Sequence, residues 1–430
     1  MSRKILSFLV ALLLLGTAPS VALAQAGPAS CSITGKNLYV RDVMSDLYFW
    51  YHEMPDLNPA SFDSPEAYLE AVRFRPLDTT FSYITSRAAN DAFFSESQFI
   101  GFGLSTSLDG VEMRITQVFL DSPASEAGLL RGDRIAEIGG RSVAAMVESG
   151  EIGGAFGPTE IGVETDVVLI DQAGASRSAH MIKRLVTIPT VSLTRVYTVD
   201  GRRVGYIFFR NFVQPSFAAL DSAFAELAAE RVDDLVLDLR YNGGGLVNVA
   251  QHLASYIGGQ RTEGLVFAEY FHNDRNAFRN RTLRFDTKPA QLRLDRLIVV
   301  TTRCSASASE LVINALRPFM PVVVIGGTTY GKPVGQYGIP FCDLLVAPVS
   351  FTLRNADGQG DFFDGFAPDC PAPDDAEHQL GDPQEASLKE ALTFAATGAC
   401  SAPAAATLRT ARIPRRGPRV LGWQSLVNAY

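Results

Sequence analysis

The sequence of 430 residues has little basic charge: 38 Lys and Arg stand against 46 Asp and Glu, which gives a net charge of −8. Its one basic cluster, residues 409–419, lies in a tail rich in Pro and Ala. A nucleic-acid surface requires Lys and Arg clustered on a folded face. We therefore expect no nucleic-acid partner, and we interpret residues 401–430 as a C-terminal tail.

Several metal, cofactor and hydrolase motifs are also missing. The sequence has no CxxC pair and no HExxH, so a zinc site has no support. It has no GxxxxGK[ST] or GxGxxG pattern for a nucleotide, and no GxSxG elbow of an α/β-hydrolase. We expect no cofactor and no metal.

Only one long apolar run occurs, and it lies at the N-terminus. Arg3 and Lys4 precede the apolar run 5–15, and small residues end at Ala24. This order is typical of a signal peptide, and the run is too short for a stable bilayer span. We predict a signal peptide at 1–24, cleavage near Ala24, a periplasmic or secreted location and no integral membrane anchor.

Five cysteines remain after such cleavage, and export permits disulfides. The five are Cys31, Cys304, Cys342, Cys370 and Cys400. We expect Cys342 to pair with Cys370, which flank one predicted hairpin region. Cys31 with Cys400 is a further expected pair, which leaves Cys304 as the unpaired thiol.

The chain divides into stretches of different periodicity. Residues 36–96 have helical spacing, and Ser64 followed by Pro65 marks a helix start. Residues 188–400 alternate buried strands, such as 234–239, with helices such as 216–229, which indicates an α/β core.

Residues 97–187 show short strands separated by turns. The segment AGLLRGDRIAEIGG at 127–140 resembles a PDZ domain. In such a domain the loop of Gly101, Phe102, Gly103 and Leu104 would hold the carboxylate of a peptide C-terminus, because successive peptide N–H groups form an anion-binding concavity. The alternative is a strand edge that another part of the protein covers.

Three polar segments follow the predicted strands of the core. Ser305, Ser307 and Ser309 lie in SASASE, between a strand at 297–300 and a helix. A helix N-terminus favours negative charge, although serines there often serve only as caps. Lys332 follows a strand at 322–325, and the Gly-rich segment 242–245 follows the strand 234–239.

These motifs, SASASE, TYGK with a Gln four residues after the lysine, and DLRYNGGG, are similar to those of the C-terminal processing peptidases, or tail-specific serine proteases. The 25 positions that separate Ser307 from Lys332 match that family. The resemblance implies Ser307 as nucleophile, Lys332 as base and Gln336 as the residue that orients the lysine. It places the oxyanion-hole N–H donors at Ala308 and Gly244.

The resemblance also implies a fold: a crotonase/ClpP-like α/β protease core with an inserted β-rich PDZ-like domain and an N-terminal helical segment. The expected function is a serine endopeptidase that hydrolyses peptide bonds in exported or unfolded proteins and recognises substrate C-termini. A non-catalytic exported PDZ adaptor and another acyl-transfer enzyme, such as an esterase, are the alternatives.

Overall fold

Residues 27–401 are described by a computed structural model. The chain begins with α1 (Ile33–Leu47), α2 (Pro65–Val72), β1 (Tyr83–Ser86) and α3 (Arg87–Glu96). The predicted helix start at Ser64 is confirmed, because the Ser64 hydroxyl accepts the N–H of Ala67 and Pro65 is the first helical residue.

A β-rich region follows. It contains β2 (Gln98–Gly101), β3 (Leu104–Asp109), β4 (Glu112–Val118), α4 (Pro123–Glu126), β5 (Arg134–Ile138), β6 (Arg141–Ser142), α5 (Val143–Glu148), β7 (Glu164–Ile170), β8 (Ser176–Ile182) and β9 (Arg184–Thr187). Strands β3-β4-β5-β7-β8 form one antiparallel sheet, with β6 paired to β5, while β2 pairs with β9.

The rest of the described chain alternates strands and helices. Its elements are β10 (Val191–Val199), β11 (Arg202–Phe209), α6 (Ser216–Ala229), β12 (Asp234–Asp238), α7 (Val247–Gly258), β13 (Val266–His272), β14 (Thr282–Arg284), β15 (Leu297–Thr301), α8 (Ala308–Leu316), β16 (Val322–Gly326), β17 (Val334–Gln336), β18 (Ile339–Phe341), β19 (Leu344–Ala347), β20 (Val349–Arg354), β21 (Cys370–Pro371) and α9 (Ala386–Thr397).

The central sheet has the strand order β10-β11-β12-β15-β16-β21, and it is parallel from β11 onward. Helices α6, α7 and α8 supply residues to the apolar core on one face, and α9 covers the other. Burial on both faces explains the continuous apolar runs 297–300 and 235–237 within strands β15 and β12. The predicted α/β class, the helical N-terminal segment and the β-rich region are confirmed.

The N-terminal helices pack against the late strands of the core. Strand β1 pairs with β19, and residues of α1 and α2 share an apolar cluster with Val334, Val346 and Val349. This packing holds the N-terminal segment beside the loop that carries Lys332.

The expected disulfide pairs were wrong. Cys31 pairs with Cys342 and Cys370 pairs with Cys400, while Cys304 is the free cysteine, as expected. The first bond ties the start of the described chain to the β18–β19 turn, and the second ties the end of α9 to β21. The pairing follows from α1 packing beside β19 and from α9 covering the central sheet, which residue spacing does not reveal.

The predicted signal peptide at 1–24, its cleavage near Ala24 and most of the tail 401–430 fall outside the described residues. Among residues 27–401, none of the helices has the length and apolar character needed to cross a bilayer.

Candidate active site

A cleft of about 630 Å³ lies where the central strands end. Ser307, Ala308, Lys332 and Gln336 all line it, together with the Gly245 end of the Gly-rich segment. The serine segment follows β15, the lysine loop follows β16 and the Gly-rich segment follows β12. The carboxyl ends of neighbouring parallel strands meet at one sheet edge, which is why segments far apart in sequence converge here.

The three serines of SASASE have different surroundings. The hydroxyl of Ser305 donates to the carbonyl of Leu239 at 2.8 Å, and that of Ser309 donates to the carbonyl of Asn242 at 2.9 Å. Both serines are fully buried, whereas Ser307 is partly exposed and lines the cleft. The structure therefore bonds two of the serines to the segment that follows β12 and leaves Ser307 facing the cleft.

The backbone at Ser307 is unusual for a residue with a side chain, because its φ is +57° and its ψ is −113°. Backbone conformations of this kind cost on the order of 1–3 kcal/mol and are found preferentially at functional sites. Helix α8 begins at the next residue, so the N–H of Ala308 lies at a helix N-terminus that favours developing negative charge.

A buried carboxylate connects the serine segment to the lysine loop. Glu310 accepts hydrogen bonds from the N–H groups of Ser307 (2.9 Å), Gly331 (2.6 Å) and Lys332 (2.8 Å), and from the hydroxyl of Thr329 (2.6 Å). Burial raises the pKa of Glu310, and these four hydrogen bonds act against that rise. Glu310 thus fixes the backbone positions of both proposed catalytic residues.

Lys332 is 4% exposed. Its ammonium lies 6.0 Å from the centroid of the Phe81 ring. Burial lowers the pKa of Lys332 to about 8, and the nearby charges of Asp78 and Glu310 only partly oppose this effect. The site therefore supplies the depressed lysine pKa that a general base near neutral pH requires.

The dyad is not hydrogen-bonded in this structure. Among residues 27–401, the hydroxyl of Ser307 and the ammonium of Lys332 share the cleft without a hydrogen bond to one another. The side-chain N–H of Gln336 donates to the carbonyl of Phe81 at 2.6 Å rather than acting on the lysine. Catalytic hydrogen bonds are often long in the absence of substrate, so this geometry leaves both roles open.

Gly244 lies directly against the serine segment. A Cβ on Gly244 would lie 2.7 Å from the N of Ala308 and 2.8 Å from the Cβ of Ser307, and its φ is +96°, so only glycine fits. Its N–H, however, donates to the side chain of Asn242 at 2.9 Å. In this conformation the expected oxyanion donor faces Asn242, and the lining of the cleft includes Gly245 and Ala308 instead.

The loop of Gly101, Phe102, Gly103 and Leu104 lies in the β-rich region and is not part of the cleft. All four residues are buried. Its neighbour Ser105 reaches the core, because its hydroxyl accepts a hydrogen bond from Arg210 at 2.9 Å.

Three contributors to the site were not assigned a role from sequence. Glu310 could have been found, because Ser307 and Glu310 have the S-x-x-E spacing of a capping box at a helix start. Phe81 and Asp78 carried no local signal, since they come from the N-terminal segment about 250 positions away from Lys332.

No metal centre emerges from residues 27–401. The one group of close potential ligands there is Cys370, Glu390 and Cys400, whose two cysteines form a disulfide. The arrangement at the cleft provides a hydroxyl, an amine and peptide N–H groups, which suits acyl transfer without a metal ligand set.

The chain is similar to known proteins both in sequence and in structure. The sequence matches peptidase family S41 over residues 203–372 and the S41 N-terminal domain over residues 36–83, just over half of the chain together. It is 26% identical over 272 residues to a carboxy-terminal-processing protease of Bartonella bacilliformis, covering 61% of this chain and 59% of the relative. It is 32% identical over 245 residues to a chloroplastic carboxyl-terminal-processing peptidase of Arabidopsis thaliana, covering 55% of this chain and 48% of the relative.

Among solved structures, a candidate S41 protease from Bacteroides fragilis is 27% identical and superimposes with a TM-score of 0.69, covering 83% of this chain and 96% of that protein. The chain spans about half to three fifths of the length of the curated relatives it matches.

Proposed function

Because the chain belongs to peptidase family S41, we propose that it is a serine endopeptidase that hydrolyses peptide bonds with Ser307 as nucleophile and Lys332 as general base. One observation carries this proposal. Ser307, the partly exposed serine of its motif, shares a cleft with a buried lysine of lowered pKa.

The proposed acylation step uses the neutral amine of Lys332. This amine takes the proton of the Ser307 hydroxyl while the oxygen attacks the peptide carbonyl, and the carbonyl electron pair moves onto its oxygen. The tetrahedral intermediate then collapses, the C–N bond breaks and Lys332 returns the proton to the leaving amine. Water repeats these steps on the acyl-enzyme and releases Ser307.

Stabilisation of the oxyanion falls to peptide N–H groups at the cleft. We assign one donor to Ala308, at the start of α8, where the helix dipole adds to the effect. We assign the second donor to the N–H of Gly244 in the Gly-rich segment. This N–H donates to the side chain of Asn242 in the structure and would have to leave it to bind the oxyanion. Each donor contributes about 3 kcal/mol at the transition state. Gln336 is proposed to orient the ammonium after it releases the carbonyl of Phe81.

We propose the domain organisation expected from the sequence: a helical segment at 36–96, a PDZ-like domain at 97–187 and a catalytic core at 188–400. The PDZ-like domain would present the C-termini of exported or unfolded polypeptides to the cleft. Supporting this, Arg210 of the core bonds to Ser105 and Gln117 of the β-rich region and also to the carbonyl of Tyr241, beside the Gly-rich segment. Export follows from the leader at 1–24, and the proposed location is periplasmic or extracellular.

Digestion of an unfolded protein by the chain from residue 25 tests the proposal. Ser307→Ala and Lys332→Ala should each abolish cleavage while circular dichroism shows that the variant chains stay folded. Ser178→Ala and Lys389→Ala remove the same groups at exposed positions and should cut at the parent rate.

Three results would contradict the proposal. Undiminished cleavage by the Ser307→Ala chain would remove the nucleophile assignment. A folded parent chain that cuts no protein, even without residues 97–187, would favour the exported adaptor. Hydrolysis of simple esters with no cleavage of protein would instead indicate the esterase alternative.

A further inference from the structure

Asp78 is a buried carboxylate of the N-terminal segment to which the proposed mechanism assigns no step. Its side chain is fully buried, and both of its oxygens accept hydrogen bonds. One oxygen accepts the N–H groups of Phe81 at 2.8 Å and Ser82 at 3.0 Å. The other accepts the hydroxyls of Ser82 at 2.5 Å and Tyr48 at 3.0 Å. These four bonds fix the conformation of the N-terminal turn, residues 78–82, because most of the donors belong to the turn itself.

The N-terminal turn contacts the lysine loop and the strand that follows it. The hydroxyls of Thr80 and Tyr330 lie 3.3 Å apart, and the Phe81 ring lies 6.3 Å from the Tyr330 ring. The Phe81 ring also lies 6.0 Å from the ammonium of Lys332, and the Phe81 carbonyl accepts the side-chain N–H of Gln336 at 2.6 Å. The proposed base and the residue that is proposed to orient it therefore both lie against this turn.

Other contacts fasten the N-terminal turn to its surroundings. The hydroxyl of Ser82 accepts the N–H of Val349, at the start of β20, at 2.9 Å. The guanidinium of Arg73 donates to the carbonyl of Ser82 at 3.2 Å and lies 4.0 Å from the carboxylate of Asp78. Arg73 also pairs with Glu70. Because Glu70 shares this guanidinium, the charge of Asp78 is only partly matched, and it acts across a medium of low dielectric constant.

We propose that Asp78 is a positioning residue for the base: its carboxylate holds the N-terminal turn in the conformation that places the ring and the carbonyl of Phe81 beside Lys332. Its charge has a second effect. Burial lowers the pKa of Lys332 to about 8, and the charges of Asp78 and Glu310 oppose this effect because they favour the ammonium. Asp78 therefore sets both where the base lies and the pH at which it is neutral. This inference rests on the proposed role of Lys332 as general base.

Asp78→Asn tests the proposal, because it removes the charge and keeps the size of the side chain. The midpoint of the rise in kcat/KM with pH should move below the parental value of about 8, since one of the two carboxylates that favour the ammonium is gone. The plateau kcat should fall at least about tenfold with a smaller change in KM, because the turn beside the base is displaced. A pH profile on a peptide substrate without titrating groups in this range measures both effects.

Two matched variants separate the charge of Asp78 from its hydrogen bonds. Asp234→Asn removes another buried carboxylate, which bonds to Arg202 and Arg296 at the end of β12 opposite the cleft. This variant should lose stability and keep the parental midpoint. Tyr48→Phe removes one hydroxyl that donates to Asp78 and leaves the charge in place. Its kcat should fall less than that of Asp78→Asn, and its midpoint should stay at the parental value.

Ser82→Ala provides a second test if the Asp78→Asn chain does not fold. It removes the hydroxyl that donates to Asp78 and accepts the N–H of Val349, and it retains every charge. Its kcat should fall at least about tenfold with a smaller change in KM. The control is Ser255→Ala, which removes a buried hydroxyl of α7 that likewise donates to one group and accepts a backbone N–H. This control should keep the parental kcat.

A folded Asp78→Asn chain with the parental midpoint would overturn the inference, as would parental kcat in that chain. If the variant does not fold, parental kcat in a folded Ser82→Ala chain overturns it. These failures differ from failure of the proposed function. A parent chain whose activity rises through about pH 8, with a profile that ignores Asp78, loses only this inference. A parent chain that cuts no protein loses the peptidase assignment, and this inference with it.

Discussion

The carboxylate of Glu310 accepts the backbone N–H of Lys332 at 2.8 Å, although 22 positions separate the two residues. The same oxygen accepts the N–H of Ser307 at 2.9 Å. One buried side chain thus sets the spacing between the serine segment and the lysine loop. Positional control of this kind matters because catalysis is sensitive to displacements of about 1 Å.

Replacement of Glu310 by Gln should lower kcat by at least about tenfold with a smaller change in KM. The new amide NH₂ would face peptide N–H donors, which leaves buried groups unpaired and costs about 2–4 kcal/mol of stability. Steady-state kinetics and thermal unfolding measure both effects. Glu160→Gln makes the same change at an exposed position and should alter neither. A Glu310→Gln chain with parental kcat would show that Glu310 does not position the dyad.

The activity should rise with pH through about 8. Lys332 must be neutral to accept the proton of Ser307, and its pKa is lowered to about 8 by burial. Below that value kcat/KM should fall about tenfold per pH unit as the amine becomes protonated. A pH profile on a peptide substrate without titrating groups in this range checks the prediction. A flat profile between about pH 6 and 9 would contradict a lysine base.

Lys332→Met should stabilise the protein while abolishing activity. The pKa of Lys332 is lower in the folded chain than its value of about 10.4 in the unfolded chain, so the folded state binds fewer protons between these values and stability rises with pH across that window. Below about pH 8 the buried ammonium costs about 3 kcal/mol, which the substitution removes.

Urea unfolding of the parent and the Lys332→Met chain at pH 7 and pH 10 measures this difference, which should be largest at pH 7. Lys389→Met at an exposed position is the control and should leave stability unchanged at both pH values. A Lys332→Met chain less stable than the parent at pH 7 would show that the ammonium is not destabilising.

Removal of the Cys31–Cys342 bond should affect both stability and activity. Cys31→Ser with Cys342→Ser should cost about 2–5 kcal/mol, because the bond restricts a long unfolded loop. It should also lower kcat, since the N-terminal segment supplies Phe81, which packs beside Lys332. Cys370→Ser with Cys400→Ser removes the other bond and should lower stability alone. Equal loss of activity in both double variants would contradict the link to Phe81.

Arg210→Met should lower kcat and stability together. The guanidinium of Arg210 bonds to Ser105, Gln117 and the carbonyl of Tyr241, and the substitution leaves these buried groups without it, at about 3 kcal/mol. Tyr241 leads into the Gly-rich segment, so its displacement should reach the cleft. Arg203→Met removes an exposed arginine paired with Glu230 and serves as the control. Parental kinetics in a folded Arg210→Met chain would exclude this connection.

The α/β class was predictable because a strand that is buried on both faces appears in the sequence as a continuous apolar run. Residues 297–300 of strand β15 are a continuous apolar run, and helix Ser216–Ala229 repeats its apolar residues on one side. The observed bounds of that helix equal the predicted ones. The positions of the motif segments after such strands were also visible in the sequence, but the roles of Ser307 and Lys332 came from the resemblance to a known family.

Tertiary structure alone decided which cysteines meet and what surrounds each motif residue. Spacing suggested Cys342 with Cys370, but the packing of α1 beside β19 brings Cys31 to Cys342 instead. Likewise the sequence predicted a loop at residues 101–104, but the packing of Phe102 against Phe156 is a long-range contact that the sequence did not reveal.

The sequence by itself thus determined the strands, the helices and the segments at the strand ends, because periodicity and turn chemistry are local properties. Only the folded chain decided that Phe81 packs beside Lys332, that Asn242 holds the N–H of Gly244 and that Asp78 lies fully buried. These contacts join residues far apart in the chain, and their energies depend on burial and distance, which no single segment encodes.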